Sequence, residues 1–161
     1  MITAGVLISG AGTNLQAILD RVADGTLDCP IALVISNREH AAGLERARRA
    51  GVPTRVIDHR AFAGREAFDA ALVEALQAAG VELVVLAGFD RLVTRVLLAA
   101  FPGRVINIHP ALLPAVPGLH AQRQALEHGV RITGATADAC ARALLAAGAR
   151  RVDVYTGGRT A

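Results

Sequence analysis

The residues best suited to chemistry are Asn107 and His109, which close the apolar segment Val105–Ile108 just before Pro110. Side chains two positions apart in a β-strand point to the same face, so both would project together from the strand's carboxyl end. An amide can donate a hydrogen bond to a carbonyl oxygen, and an imidazole that titrates near neutrality can move a proton. The pair therefore suits formyl or acyl transfer, in which an oxyanion develops.

A second candidate is the glycine loop, residues 10–14, which lies between a predicted strand and a predicted helix. Its glycines allow a tight turn with exposed backbone N–H groups. We expect Thr13 or Asn14 to cap the helix, whose N-terminus favours an anion. The loop lacks the Gly-Lys-Ser/Thr of a Walker motif and the third glycine of a dinucleotide fingerprint. Two interpretations stay open: a phosphate site and a plain strand-to-helix turn.

These residues need a scaffold, and apolar runs alternate with helical patterns along the chain. Strands are predicted at residues 5–9, 31–36, 54–57, 82–87, 105–108 and 151–155. Helices are predicted at residues 15–23, 42–50, 65–79, 94–100, 119–128 and 136–147. The alternation favours a doubly wound α/β fold with a mostly parallel sheet covered on both sides. The near-continuous apolar segment 82–87 indicates a strand buried on both faces.

The composition of the 161 residues fits a single domain with an aliphatic core, since 53% are hydrophobic and only 3% aromatic. No apolar run approaches the ~20 residues of a membrane span, and the N-terminus lacks a signal-peptide pattern, so we expect a cytoplasmic protein. The net charge of +3 comes from arginines interleaved with acids, as in residues 45–49, without stacking aromatics. This pattern is typical of solvated helix faces rather than of a nucleic-acid-binding patch.

The cysteines and histidines do not form a recognisable metal site. Cys29 and Cys140 belong to no redox or metal motif and are expected to be structural free thiols. The histidines lack the compact spacing of zinc ligands, so no metal is predicted. Surface positions are predicted for His40, His59 and His128.

Six motifs, in order along the chain, closely resemble those of glycinamide ribonucleotide formyltransferases, the folate-dependent enzymes of purine biosynthesis. The motifs are residues 7–17, 34–37, 43–47, 86–89, 106–110 and 117–120. The resemblance runs from about residue 4 to Thr136. It implies a Rossmann-like formyltransferase domain.

The resemblance also implies roles for individual residues. The residues implied to hold the ribose phosphate of glycinamide ribonucleotide are Gly12, Thr13 and Asn14. The two implied catalytic residues are Asn107 and His109. The residues implied to line the pocket for the pterin of 10-formyltetrahydrofolate, the cosubstrate, are Arg91, Leu92 and Val93.

Several positions depart from the family pattern. Asp90 stands where the family usually has methionine or another apolar residue, and Gln122 stands where a second histidine often occurs. After Thr136 the chain lacks the segment in which the family carries its essential catalytic aspartate. We therefore predict one domain over residues 1–161, with a formyltransferase-type core at 1–136 and an atypical helix–strand tail at 137–161.

The C-terminal segment from about residue 133 to 161, which includes this tail, resembles the C-terminal end of a competence-type phosphoribosyltransferase. There, Thr-Gly-Ala-Thr forms the loop for a 5′-phosphate, but the acidic pair that should precede it is missing here. The segment can therefore be interpreted as an anion-binding loop or simply as a capped helix start.

The sequence thus predicts formyl transfer from 10-formyltetrahydrofolate to the amine of glycinamide ribonucleotide, weakened by the missing aspartate. The alternatives are a non-catalytic module that binds ribose phosphates and an inert chimera. The oligomeric state is not predicted.

Overall fold

The computed structural model describes residues 1–108, which contain five strands and four α-helices. The strands are β1 Ala4–Ile8, β2 Ile31–Ser36, β3 Thr54–Val56, β4 Leu83–Ala87 and β5 Val105–Ile108. The helices are α1 Thr13–Ala23, α2 Ala42–Arg49, α3 Arg65–Ala78 and α4 Arg95–Ala100. A short 3₁₀ turn, His59–Ala61, precedes α3. The predicted bounds of these elements agree with the observed ones to within two residues.

The described strands form one parallel sheet in the order β3-β2-β1-β4-β5. The predicted α/β fold with a parallel sheet is therefore confirmed. Every residue of β4 is buried, as its continuous apolar sequence predicted. Helices α2 and α3 end one residue before Ala50 and Ala79, and the glycines that follow, Gly51 and Gly80, adopt positive φ angles of 73° and 69°.

The sheet separates two hydrophobic layers, because successive side chains of a strand point to opposite faces. On one face, Val6 and Ile8 pack with Leu15 and Leu19 of α1 and with Leu44 of α2. The opposite face has its own set of buried side chains, from β1, α3 and α4. They include Leu7, Phe68, Leu72, Leu76 and Leu97. Helices α1 and α2 therefore cover one face, and α3 and α4 cover the other.

The chain reverses its direction of travel across the sheet at β1. Strands β2 and β3 are added on one side of β1, and β4 and β5 are added on the other. The connection after β1 leads to α1 on one face, whereas the connection after β4 leads to α4 on the opposite face. Connections that diverge in this way leave a crevice at the carboxyl ends of the strands, where α/β proteins bind ligands.

The remaining expectations divide between the described residues and the rest of the chain. Cys29 is buried and free, as expected, and burial raises the pKa of its thiol. His40 is exposed, as expected. No helix within residues 1–108 is long and apolar enough to cross a membrane. Outside the described residues lie Cys140, His128, the predicted helices 119–128 and 136–147, the predicted strand 151–155 and the phosphoribosyltransferase-like tail.

Candidate functional site at the carboxyl edge of the sheet

The site residues predicted within the described part of the chain lie at the same edge of the sheet. The glycine loop follows β1, and residues 88–94 connect β4 to α4. Asn107 lies in β5, which pairs with β4 so that Asn107 is opposite Leu86. Because the strands are parallel, their carboxyl ends meet at one edge. The fold thus brings together, from β1, β4 and β5, the segments that the sequence singled out.

Asn107 is exposed, although the strand that carries it is packed on both faces. Ile106 and Ile108 contact the layer of α1 and α2, whereas Val105 contacts the layer of α3 and α4. Asn107 has the same parity as Val105 and so lies on the face of α3 and α4. His109 lies outside the described residues, so its predicted position beside Asn107 stays a prediction.

The glycine loop packs backbone against backbone on the start of α2. Gly12 has a φ of 72°, in the left-handed region that glycine adopts most easily. A Cβ atom at Gly12 would lie 2.5 Å from the Cα of Gly43. Glycine is therefore required at position 12 for two reasons, conformation and space. Both reasons concern the scaffold and apply whether or not a ligand binds.

The prediction that Thr13 or Asn14 caps α1 is wrong. Helix α1 begins at Thr13, and the capping position is taken by Gly12 without a side-chain hydrogen bond. The left-handed turn and the contact with Gly43 leave only glycine there. Thr13 and Asn14 are exposed, and their side chains make no hydrogen bond to another described residue. Within the described residues, both side chains thus remain available to a ligand at the N-terminus of α1.

The backbone amides of the glycine loop are also available. Those of Gly10, Ala11 and Gly12 donate no hydrogen bond to any residue within 1–108. Consecutive amides that point to one side of a turn, followed by a helix N-terminus, make a site for an anion. The geometry therefore favours the phosphate interpretation of the loop over the plain turn.

A polar network, which the sequence did not predict, joins the ends of β1, β2 and β4. Ser9 Oγ lies 2.6 Å from Asn37 Oδ1 and 2.9 Å from Asp90 Oδ1, and it accepts a hydrogen bond of 2.9 Å from the Asp90 amide. Asn37 Nδ2 donates to Asp90 Oδ1 at 2.9 Å. Ser9 and Asn37 are buried, so this network closes the floor of the crevice with satisfied polar groups.

Two arginines complete this network around Asp90. Arg38 Nη2 donates to Asp90 Oδ2, and Arg91 Nε lies 3.4 Å from Asp90 Oδ1. Burial raises the pKa of Asp90, but hydrogen bonds from Asn37, Ser9 and Arg38 outweigh burial and bring the pKa below its ordinary value. Asp90 is therefore a carboxylate at neutral pH. It connects Arg91, a predicted folate-pocket residue, to the floor of the crevice.

The prediction that His59 is a surface residue holds only in part. Its side chain is only 27% exposed, and its Nδ1 lies 3.3 Å from Asn37 Nδ2. The ring also meets Phe68 edge-on, with the ring centroids 6.1 Å apart, and Phe68 stacks with Phe89 at 6.4 Å. The 3₁₀ turn after β3 folds the imidazole inward between these neighbours, a long-range effect that the polar local sequence does not reveal.

The predicted folate-pocket residues lie on a segment that α3 holds in place. Arg91 and Leu92 are exposed, whereas Val93 packs against the layer of α3 and α4. Asp69 of α3 is buried and its Oδ2 accepts hydrogen bonds from the Thr94 amide and hydroxyl, at 2.5 and 2.8 Å. Thr94 in turn caps α4 by accepting from the Val96 amide. The bonds to Asp69 therefore fix the start of α4 and, with it, the end of the segment that carries the predicted folate-pocket residues.

The missed residues share one signal that could have revealed them. Ser9, Asn37 and Asp90 are polar residues that follow directly, or within three positions, the apolar strands β1, β2 and β4. The same argument identified Asn107 at the end of β5. Asp69 carries no such signal, because a single aspartate within a helical pattern usually faces solvent.

Within residues 1–108, no three acidic, histidine or cysteine side chains are grouped closely enough to hold a metal ion. The polar atoms of the described crevice instead pair with one another or remain available as hydrogen-bond donors. Amide and hydroxyl donors of the glycine loop suit a phosphate, and the Asn107 amide suits a carbonyl oxygen or an oxyanion.

Comparison with known proteins gives consistent matches. The profile of the formyl transferase family matches residues 4–144. The Escherichia coli phosphoribosylglycinamide formyltransferase is 47% identical over 124 residues, which cover 77% of this chain and 58% of that protein. The Drosophila melanogaster trifunctional purine biosynthetic protein adenosine-3 is 49% identical over 133 residues, which cover 81% of this chain and 10% of that protein.

Solved structures agree with the sequence matches. Glycinamide ribonucleotide transformylase 1 from Symbiobacterium toebii aligns with a TM-score of 0.78 at 64% identity, covering 81% of this chain and 61% of that chain. The corresponding protein from Geobacillus kaustophilus aligns with a TM-score of 0.77 at 39% identity, covering 81% and 69%. The chain thus spans less than two thirds of the length of the Escherichia coli and Symbiobacterium proteins.

Proposed function

Because the chain belongs to the formyl transferase family, we propose that it transfers a formyl group from 10-formyltetrahydrofolate to the amine of glycinamide ribonucleotide. One observation carries the proposal: the glycine loop and Asn107 lie at the same edge of the sheet, on either side of the crevice where the strand order reverses. A phosphate donor set and a carbonyl-polarising amide are the two ends of the site that this reaction needs. The Escherichia coli relative bears the name of this activity.

The phosphate end of the proposed site is the glycine loop. Gly12, Thr13 and Asn14 are proposed to hold the ribose phosphate through backbone amides, with the Thr13 hydroxyl and the Asn14 amide as further donors. The dipole of α1, which begins at Thr13, adds to the attraction for an anion. A phosphate fixed here would orient the rest of the substrate across the crevice towards β5.

The reacting end is proposed to be formed by Asn107 and His109. The amine nitrogen bonds to the formyl carbon, and the bond from that carbon to N10 of the folate breaks with its electron pair left on N10. The amine loses one proton and N10 gains one. Negative charge develops on the formyl oxygen, where the Asn107 amide is proposed to donate a hydrogen bond, and the His109 imidazole is proposed to assist the proton transfer.

The folate is proposed to bind along Arg91, Leu92 and Val93. Leu92 is 75% exposed, which leaves an apolar surface available for the pterin ring. Asp90 and Thr94 flank this segment, and each is bonded to another part of the fold, Asp90 to Ser9 and Thr94 to Asp69. A segment anchored at both ends loses little entropy when a cosubstrate binds, so we expect its shape to change little on binding.

We further propose that turnover is slow, because residues after Thr136 lack the aspartate that the resemblance assigns to catalysis. A second candidate follows from a specific contrast. The glycine loop and its contacts with α2 lie within residues 1–108, whereas the aspartate that the resemblance implies has no matching position after Thr136 in the sequence. The second candidate is therefore a protein that binds ribose phosphates without transferring a formyl group.

Steady-state formyl transfer, followed by the absorbance of the tetrahydrofolate product, separates the two candidates. Formyl transfer that falls about 100-fold in Asn107→Ala supports the enzyme, since removing one oxyanion donor costs about 10²–10³ in kcat. The matched control is Gln77→Ala, which removes an exposed amide at the end of α3, the end that leads into the amino edge of β4. No transfer, but calorimetric binding of glycinamide ribonucleotide, supports the binding protein. A folded protein that shows neither formyl transfer nor binding of glycinamide ribonucleotide would contradict both candidates.

A further inference from the structure

Helix α2 contacts the glycine loop through two residues that the proposed function does not use. The Gly43 amide donates to the Gly10 carbonyl at 3.1 Å. Arg46 Nε donates to the Ala11 carbonyl at 2.9 Å, and its Nη1 donates to Gln16 Oε1 at 3.2 Å. The guanidinium thus connects the loop to the first turn of α1. Two consecutive loop carbonyls are fixed from the side of α2.

Fixing a carbonyl also fixes the next amide. In a planar trans peptide, the C=O of one residue and the N–H of the next point in opposite directions. The bond from Gly43 to the Gly10 carbonyl therefore turns the Ala11 N–H away from α2. The bond from Arg46 to the Ala11 carbonyl turns the Gly12 N–H away in the same manner. These are amides that donate to no other described residue.

The close packing of this region leaves the loop little freedom to rotate. A Cβ atom at Gly43 would lie 2.6 Å from Ile8 Cδ1 and 3.0 Å from Gly12 Cα. A Cβ atom at Gly12 would lie 3.4 Å from Arg46 Cδ, so the arginine stem lies along the loop. Arg46 is half-buried, whereas Arg49 on the same helix is 78% exposed and, among residues 1–108, pairs with Glu45 alone.

We propose that Arg46 is a positioning residue for phosphate recognition. Together with Gly43, it orients the peptide planes of the glycine loop so that the Ala11 and Gly12 amides face the phosphate of the substrate. This inference rests on the proposed function, because it takes the ribose phosphate as the ligand of the loop. Arg46 acts through the loop backbone and needs no contact with the phosphate.

The test compares the affinity of the full chain for glycinamide ribonucleotide with that for the riboside that lacks the phosphate. Arg46→Gln is expected to lower this affinity ratio about tenfold, which corresponds to about 1.4 kcal/mol, because the Ala11 carbonyl loses a charge-assisted hydrogen bond that orients the loop. Arg49→Gln, which removes the same charge from the same helix, is expected to leave the ratio unchanged. A merely structural role would weaken both ligands alike.

Arg46→Lys separates geometry from charge. Lysine keeps the positive charge but has one donor group in place of the Nε and Nη1 pair, so we expect the ratio to stay well below that of the wild type. Full recovery by lysine, or a ratio in Arg46→Gln equal to that in Arg49→Gln, would overturn the inference alone. A wild-type protein that does not distinguish the ribonucleotide from the riboside would overturn the proposed function as well.

Discussion

At the scale of single residues, Asp90 shows how one carboxylate organises the floor of the crevice. It bonds to Ser9 just after β1 and to Asn37 and Arg38 just after β2, and it precedes Arg91 in the predicted folate segment. The sequence marked Asp90 only as a departure from the family pattern. Asn37 and Ser9 lie 53 and 81 positions from Asp90 in sequence, so a local pattern could place each residue after a strand but could not show that they bond to one another.

The depressed pKa of Asp90 predicts a pH-dependent contribution to stability. A carboxylate whose pKa is lower in the folded state stabilises the fold above its unfolded pKa of about 3.9, and this contribution is lost as the pH falls through the folded pKa. We therefore expect wild type to be more stable than Asp90→Asn at pH 7, with the difference shrinking below about pH 4. Urea unfolding of both proteins at several pH values measures it.

Other carboxylates do not confuse this comparison, because they titrate in both proteins. Asp58 is one example, since hydrogen bonds from Arg60 lower its pKa to about 2. A stability difference that stays constant from pH 7 to pH 3 would contradict the assignment of an ionised, hydrogen-bonded Asp90.

Replacing Asp69 is expected to lower the free energy of unfolding more than its position in a helix suggests. Asp69→Ala leaves the partly buried Thr94 amide and hydroxyl without their partner, which costs about 1–3 kcal/mol. Urea unfolding measures this loss, and Glu74→Ala on the same helix, where the side chain is exposed, serves as the control. Equal stabilities of the two variants would show that the Asp69–Thr94 bonds do not hold α4.

At the scale of the elements, the glycine loop depends on both its conformation and its packing. Gly12 and Gly25 have almost the same φ, 72° and 76°, but only Gly12 has backbone within 4 Å of the place where a Cβ would stand. Gly25→Ala is expected to cost about 1–2 kcal/mol for the left-handed backbone and to leave binding intact. Gly12→Ala is expected to cost more and to abolish the preference for a phosphate-bearing ligand.

Unfolding curves and calorimetric titrations of these two variants check the prediction. If Gly12→Ala binds glycinamide ribonucleotide as Gly25→Ala does, the loop cannot be the phosphate site. If both variants lose stability equally, the close contact between Gly12 and Gly43 contributes nothing to the free energy of unfolding.

Elements were predicted well because their signals are local. Apolar runs such as 82–87 and the glycines at 51 and 80 specify β4 and the ends of α2 and α3 within a few neighbouring residues. The cap of α1 was predicted wrongly because Gly43, 31 positions from Gly12, decides which residue fits there. Local preferences fail where a distant backbone approaches.

At the scale of the whole molecule, the parallel sheet determines where the site lies, and the two hydrophobic layers on its faces stabilise the sheet. Leu44 and Leu72 are buried in opposite layers. Replacing either by alanine is expected to cost about 2–5 kcal/mol. Because β1 and β4 contribute side chains to both layers, we expect each variant to unfold in one transition with an earlier urea midpoint. A variant that unfolds in two steps would show that the layers are independent.

The site as a whole was predictable only in part. The positions of Asn107 and the glycine loop followed from where the strands end, since parallel strands share a carboxyl edge. Strand order, by contrast, cannot be predicted from any local pattern. That the loops after β1 and β4 lie side by side is therefore known only from the fold. The support from Arg46, Asp69 and Asp90 depends on that order and could not be predicted before it.

The most direct test of the account is single-turnover formyl transfer with the full chain in excess over glycinamide ribonucleotide and 10-formyltetrahydrofolate, with the formylated product detected by mass spectrometry. Wild type and Gln77→Ala are expected to form product slowly, and Asn107→Ala and His109→Ala are expected to form it about 100-fold more slowly still. Product formation at the wild-type rate in Asn107→Ala would contradict the placement of the reaction at the end of β5. Absence of product from folded wild type would contradict formyl transfer itself.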